Sequence, residues 1–221
     1  MLSTRTLHLA GLLVSWILLA AQGHAAQTPS QTPHPARVEI KRTVRAVESI
    51  LEEDKVTMET RRRKVMAEIR RTVDAHVVSK LVLADNLSRF SRTQREEFED
   101  EFLRHVLFSY WNHAHRFERF EVLGDKRSGS DWIVRTRLHA EKDVTQLDYR
   151  LRRERPRRGA PKTEPTWKII DIRIDGASIV SSFRDQFESL LSRGNDPESV
   201  LKLLRKKNAK SEAEANRRIG S

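Results

Sequence analysis

The sequence predicts an α+β domain. Its apolar residues repeat first at three- and four-residue steps, then at steps of two, then at helical steps again. The helical pattern starts at Arg37, where Val44, Val47, Ile50 and Leu51 share one face. A second helix spans Met58 to Val73, with Val65, Met66, Ile69 and Val73 inward. Arg61, Arg62, Arg63, Arg70 and Arg71 surround it and read as a solvated face. After Asp74, a short apolar stretch from His76 to Leu87 carries Val77, Val78, Leu81, Val82 and Leu83. Ser91 and Gln94 stand at the spacing of a capping box, which fixes the start of a long helix reaching about Arg119. Phe98, Phe102, Leu103, Val106 and Tyr110 form its apolar stripe.

From Phe120 the period becomes two. Trp132, Val134, Thr136 and Leu138 alternate with Ile133, Arg135, Arg137 and His139, and Leu147, Tyr149 and Leu151 repeat at the same period. Trp167 to Ile174 is another strand, apolar at both parities, so its inward face stays open. Three or four successive strands with short connections predict an antiparallel meander. Ser178 then caps a helix with Ile179, Phe183, Phe187, Leu190 and Leu191 inward and Gly194 as its stop. Asp196 and Pro197 start a last helix, and beyond Lys207 the sequence suggests a frayed polar tail, residues 208–221.

The N-terminus differs from the rest. Arg5 precedes an apolar run from Leu7 to Ala21, and Gly23 and Ala25 place small residues before a cut at Ala26. This is the pattern of a secretory signal peptide over residues 1–25, too short to favour a membrane anchor. Residues 26–36, with Pro29, Pro33 and Pro35, read as a linker. The expected compartment is the periplasm. The chain contains no cysteine, which excludes disulfides, thiol catalysis and cysteine-bound metals. Its net charge of +11 implies attraction to anionic surfaces, and export makes nucleic acid the poorest partner among them.

No motif for catalysis stands out. His113 and His115 are two apart, a spacing that does not share a helix face. Asp171 and Asp175 would be ~13 Å apart along a strand, too far for paired-carboxylate chemistry. No glycine-rich phosphate loop or nucleophile elbow occurs. The chain is therefore read as a non-enzyme, with no cofactor and no metal. The segment from Arg152 to Lys162 is rich in arginine, with Arg152, Arg153, Arg155, Arg157 and Arg158. It is open to three readings: a solvated hairpin tip, a surface for anionic headgroups, or a dock for an acidic partner.

The segment Trp167 to Phe187 resembles the C-terminal signature of the MlaC family: a Trp-Lys-Val-x-Asp strand, a Gly-Val-Ser turn, and a helix opening Asn-Tyr-Arg-x-Gln-Phe. Trp167, Asp171, Gly176, Ser178, Arg184, Gln186 and Phe187 match, while Ala177, Ser182 and Phe183 depart from it. Gln94, Arg95, Phe98, Phe102 and Tyr110 are similar to the family's earlier helix, with Arg92 replacing its usual proline and Leu87 its usual aromatic. The resemblance spans Arg37 to Lys207. It implies an NTF2-like curved antiparallel sheet of about four strands, wrapped by helices that enclose an apolar cavity. It also implies a monomeric periplasmic carrier of phospholipid acyl chains. Such a carrier exchanges lipid between an outer-membrane lipoprotein complex and an inner-membrane ABC transporter with an MCE-domain subunit. A related branch, associated with hopanoid-type lipids, stays open as an alternative.

On that basis the lipid tails are expected between the sheet and the helices beginning near Ser91 and Ser178. The sheet would contribute Trp132, Val134, Leu138, Leu147, Tyr149 and Ile169. The helices would contribute Leu81, Phe102, Val106, Tyr110, Phe183 and Phe187. Asp171, Gly176, Ser178 and Arg184 are expected to be structural, with Arg184 paired to Asp171. Charged substitution at Val134 or Phe187 is expected to expel lipid from a folded protein. The rival readings are an interaction module with a solid core and a small-molecule enzyme on a similar sheet.

Overall fold

A computed structural model describes residues 32–114, 118–140, 143–154 and 166–217. The described secondary structure falls within one unit, Pro33–Ser221. Helices α1 (Pro35–Leu51), α2 (Met58–Thr72) and α3 (Ala75–Leu83) lead through a 3-10 turn, Ala84–Arg89, to the long α4 (Arg92–Ala114). Strands β1 (Arg119–Ser128), β2 (Asp131–His139), β3 (Val144–Arg153), β4 (Trp167–Ile174) and the two-residue β5 (Ala177–Ser178) follow. Then come α5 (Ile179–Ser192) and α6 (Pro197–Arg217). The strands form one antiparallel sheet in sequential order. The fold is α+β, as the sequence predicts. Residues 1–25, which the sequence suggests are a signal peptide, and residues 26–31 of the expected linker lie outside the described residues.

Local chemistry explains the boundaries. The Ser91 hydroxyl accepts from the Gln94 amide at 3.2 Å, and the Gln94 side chain accepts from the Ser91 amide at 3.0 Å, a reciprocal capping box. Gly129 adopts φ +62 at the first position of the two-residue β1–β2 turn, where an L side chain is disfavoured. Asp175 and Gly176 both have positive φ in the β4–β5 turn, so the glycine of the matched signature is a backbone requirement.

Two expectations change. The prolines before Ala36 suggest linker, yet Pro35 opens α1, His34 caps it, and Ala36 is fully buried. Proline fits the first helical turn because its missing N–H has no intrahelical partner there. The long helix is described as far as Ala114, residues 115–117 lie outside the described residues, and β1 begins at Arg119, about where the sequence has the helix fading. Finally, α6 continues to Arg217 instead of fraying at Lys207. Asn208 is completely buried and donates to the Glu101 backbone oxygen at 2.9 Å and to its carboxylate at 2.7 Å. Arg104 pairs with Glu212 at 3.0 Å, and Ala215 is buried beside Trp111. A polar helix face is thus held by specific partners on α4, which hydrophobic periodicity does not reveal.

Candidate functional site

Register divides the sheet into two faces. On the inner face, the row Trp132, Leu151, Ile169 and the row Val134, Tyr149, Ile172 run across neighbouring strands. Ala36 and Ile40 of α1 bury these rows, with Val44 at their edge. His34 stacks on Trp132 at a ring separation of 3.6 Å, and Trp132 donates to Asp125 at 2.9 Å. Burial lowers the His34 pKa despite the nearby Asp125 charge. That suits its role, because its ring nitrogen Nδ1 accepts from the Ala36 amide at 3.2 Å.

Two further rows lie nearer the β2–β3 turn: Val122, Thr136, Leu147, Ile174, and Phe120, Leu138, Thr145. Apart from buried Thr136, these residues are only half-buried. Ile172 and Ile174 also border the helical core, as does Val106 of α4. The half-buried apolar strip therefore runs from the helical core out across the sheet. The Tyr149 phenol sits at the middle of this face, and burial pushes its pKa up, so it stays protonated. Its hydroxyl has no hydrogen-bond partner among the described residues.

The residues expected to line one cavity separate into three environments. Phe102, Phe183 and Phe187 lie in the core between α3, α4, α5 and α6, together with Phe90 and Phe98, and Leu81 packs at its edge. The void beside Phe183 and Phe187 measures about 20 Å³, room for about one water rather than an acyl chain. Trp132, Val134, Tyr149 and Ile169 pack with α1. Leu138, Leu147, Val106 and Tyr110 remain partly accessible, with Tyr110 at 40% exposure. Val134 is fully buried and Phe187 is 5% exposed, so a charge at either position tests folding before it tests lipid binding. The sequence reading omits Phe120, Val122, Ile172 and Ile174 from the wall. The signal for the last two is hidden by a β-bulge: Leu151 faces Ile169 while Arg150 faces Asp171, so the strand changes parity at Ile170. Both apolar parities of β4 are therefore used.

The matched signature works as a joint. The Asp171 carboxylate accepts from the Ser178 hydroxyl at 2.8 Å and from the Val180 amide at 3.2 Å. The Ser178 hydroxyl in turn accepts from the Ser181 amide at 3.0 Å and caps α5. The expected Arg184–Asp171 pair is not formed. Arg184 Nε donates to the Leu81 backbone oxygen at 2.7 Å, tying α5 to the last turn of α3, whose carbonyls lack helical partners.

Of the basic residues singled out by sequence, Arg155, Arg157 and Arg158 lie outside the described residues, as does the His115 ring and the side chain of His113. Arg153 is exposed at the end of β3. Arg152 is engaged: Arg150 and Arg152 both donate to Asp131, at 2.7 Å each, and the carboxylate is 1% exposed. Burial alone would raise the Asp131 pKa, but hydrogen bonds from Arg152 and Arg150 outweigh it and hold the carboxyl below its ordinary value. A depressed carboxylate contributes stability above its unfolded pKa and loses it as pH falls through the folded one. Asp131→Asn should therefore cost about 1–2 kcal/mol at pH 7, limited by the partial exposure of both guanidiniums. The difference from wild type should shrink below about pH 4. Urea denaturation at pH 7 and pH 3 checks it; a difference that grows in acid would contradict the assignment.

The MlaC protein family model matches residues 41–206. No curated protein sequence matches the chain. Among solved structures, a phospholipid-binding protein from Ralstonia solanacearum, determined in complex with a phospholipid, superposes with a TM-score of 0.66 at 19% identity. The match covers 80% of this chain and 98% of that one, a likeness of fold. With the family model spanning most of its length, including the Asp171–Ser178 joint and the helices that precede and follow the strands in sequence, the chain belongs to the MlaC protein family.

Proposed function

We propose that this protein is a periplasmic lipid carrier that shelters the acyl chains of a phospholipid against the inner face of the sheet. The observation that carries the reading is the half-covered apolar strip of Phe120, Val122, Leu138, Leu147 and Ile174, continuous with the helical core. At about 0.8 kcal/mol per buried methylene, acyl chains would supply most of the affinity, and no catalytic group is needed. Val106 of α4 packs at the edge of the helical core that Ile174 also borders, and the unpartnered Tyr149 hydroxyl offers a donor to a lipid ester oxygen. The tightly packed Phe102, Phe183 and Phe187 serve as the floor of the site. Family membership and the fold shared with a phospholipid-bound protein support the reading.

The N-terminal pattern supports export and maturation near Ala26. The carrier then exchanges lipid between an outer-membrane lipoprotein complex and the MCE-domain subunit of an inner-membrane ABC transporter. The test is transfer of a fluorescent phospholipid from donor to acceptor vesicles. Purified protein should accelerate transfer in proportion to its concentration. A protein that neither accelerates transfer nor takes up phospholipid from the donor vesicles would remove the carrier reading.

A further inference from the structure

The face of the sheet turned away from α1 has a different composition. It carries Arg135 and Arg137 on β2, Lys126 on β1 and Arg173 on β4, placed on one side by register. None of these four makes a hydrogen bond or ion pair with a described residue. Other charges on this face are largely compensated. Arg150 and Arg152 share Asp131, leaving that group one positive charge in excess, and Glu121 lies between Arg119 and His139. Asp148 stands between Arg135 and Arg173 in the register without a cation within ion-pair distance. A depression of about 100 Å³ lies at the centre, lined by Ser128, Ile133, Asp148, Arg150 and Arg173.

We infer that this outward face is a docking surface for an anionic phospholipid bilayer, separate from the cargo site on the other side of the sheet. The partner follows from the chemistry. Unengaged guanidiniums match phosphate oxygens in a bidentate manner. An open sheet presents them together to a broad surface. Among the described residues the face carries no tryptophan or tyrosine, the side chains that anchor protein–protein hot spots, and Ile133 is the one large apolar residue in the sheet rows that carry the arginines. Leaving charged groups unpaired has little structural benefit, whereas basic residues near an anionic membrane are each attracted to it. The inference rests on the carrier reading and deepens it, adding direct docking on the bilayer to exchange with the membrane complexes.

The experiment is co-sedimentation of the purified full protein with vesicles of phosphatidylcholine alone or with added phosphatidylglycerol. Binding should require phosphatidylglycerol and weaken as salt shortens the Debye length. The variant R135Q/R137Q/R173Q should bind on the order of a hundredfold more weakly, from three lost attractions. It should keep its circular dichroism spectrum and its bound lipid by native mass spectrometry. A control with equal charge loss on exposed helical positions, K41Q/R45Q/K202Q, should bind within a few-fold of wild type. Equal binding to both vesicle types, an unaffected triple variant, or an equal loss in the control would each overturn the inference. So would retained vesicle binding in a triple variant that no longer binds an acidic protein. Lipid content is read separately, so failure of docking and failure of the carrier reading are distinguishable.

Discussion

Phe187→Ala should lower the stability of the fold by about 4 kcal/mol, the middle of the range for truncating a buried aromatic. The ring is 5% exposed and stands edge-on to Phe98 at 5.2 Å and to Phe102 at 6.2 Å, with Phe183 at 6.4 Å. These rings come from α4 and α5, and Val200, Leu201 and Leu204 of α6 close the same cluster. A cavity there removes contacts from three helices at once, and the neighbouring aromatics cannot rotate to fill it without leaving their own packing. Urea denaturation measures the loss. A change under 1 kcal/mol would mean that the helical core is loose enough to be a lipid pocket in its own right.

Leu147→Asp should leave the protein folded and reduce bound phospholipid more than tenfold. Leu147 lies in the row Val122, Thr136, Leu147, Ile174 and is half-buried, so a carboxylate there can still reach water in the lipid-free protein. Against an acyl chain the same carboxylate loses its hydration without a partner, which costs several kcal/mol. Leu138→Asp in the adjacent row should act in the same direction. Lipid phosphorus per protein, beside a thermal melt, separates the two effects. Wild-type lipid content in a folded Leu147→Asp protein would move the cargo site off this strip.

The difference between Phe187 and Leu147 also shows what the sequence makes legible. Period-two alternation on β2 and β3 identifies the inner face, because an antiparallel ladder puts alternate residues on the same side. It does not distinguish which rows α1 covers. Val134 and Leu138 are indistinguishable by pattern, yet one is sealed by Ala36 and Ile40 and the other is not. The stripe at Phe102 on α4 and Phe183 and Phe187 on α5 reads equally as cavity wall or core, since both demand apolar residues at helical spacing. Only the packing of α6 decides it. The helix caps at Ser91, Ser178 and Asp196 are legible because they depend on residues three apart. The Arg184 contact is not, because its partner is a backbone carbonyl on another helix. The outward basic face is equally hidden, since Lys126, Arg135, Arg137 and Arg173 are scattered in sequence and meet only through strand register.

Native mass spectrometry of the gently purified protein tests the carrier reading most directly. A population heavier than the polypeptide by the mass of one phospholipid is expected. It should vanish on delipidation, return on incubation with phospholipid vesicles, and be absent from Leu147→Asp. A protein that is found only at its polypeptide mass, and stays so after incubation with vesicles, would contradict a lipid carrier and favour an interaction module with a closed core.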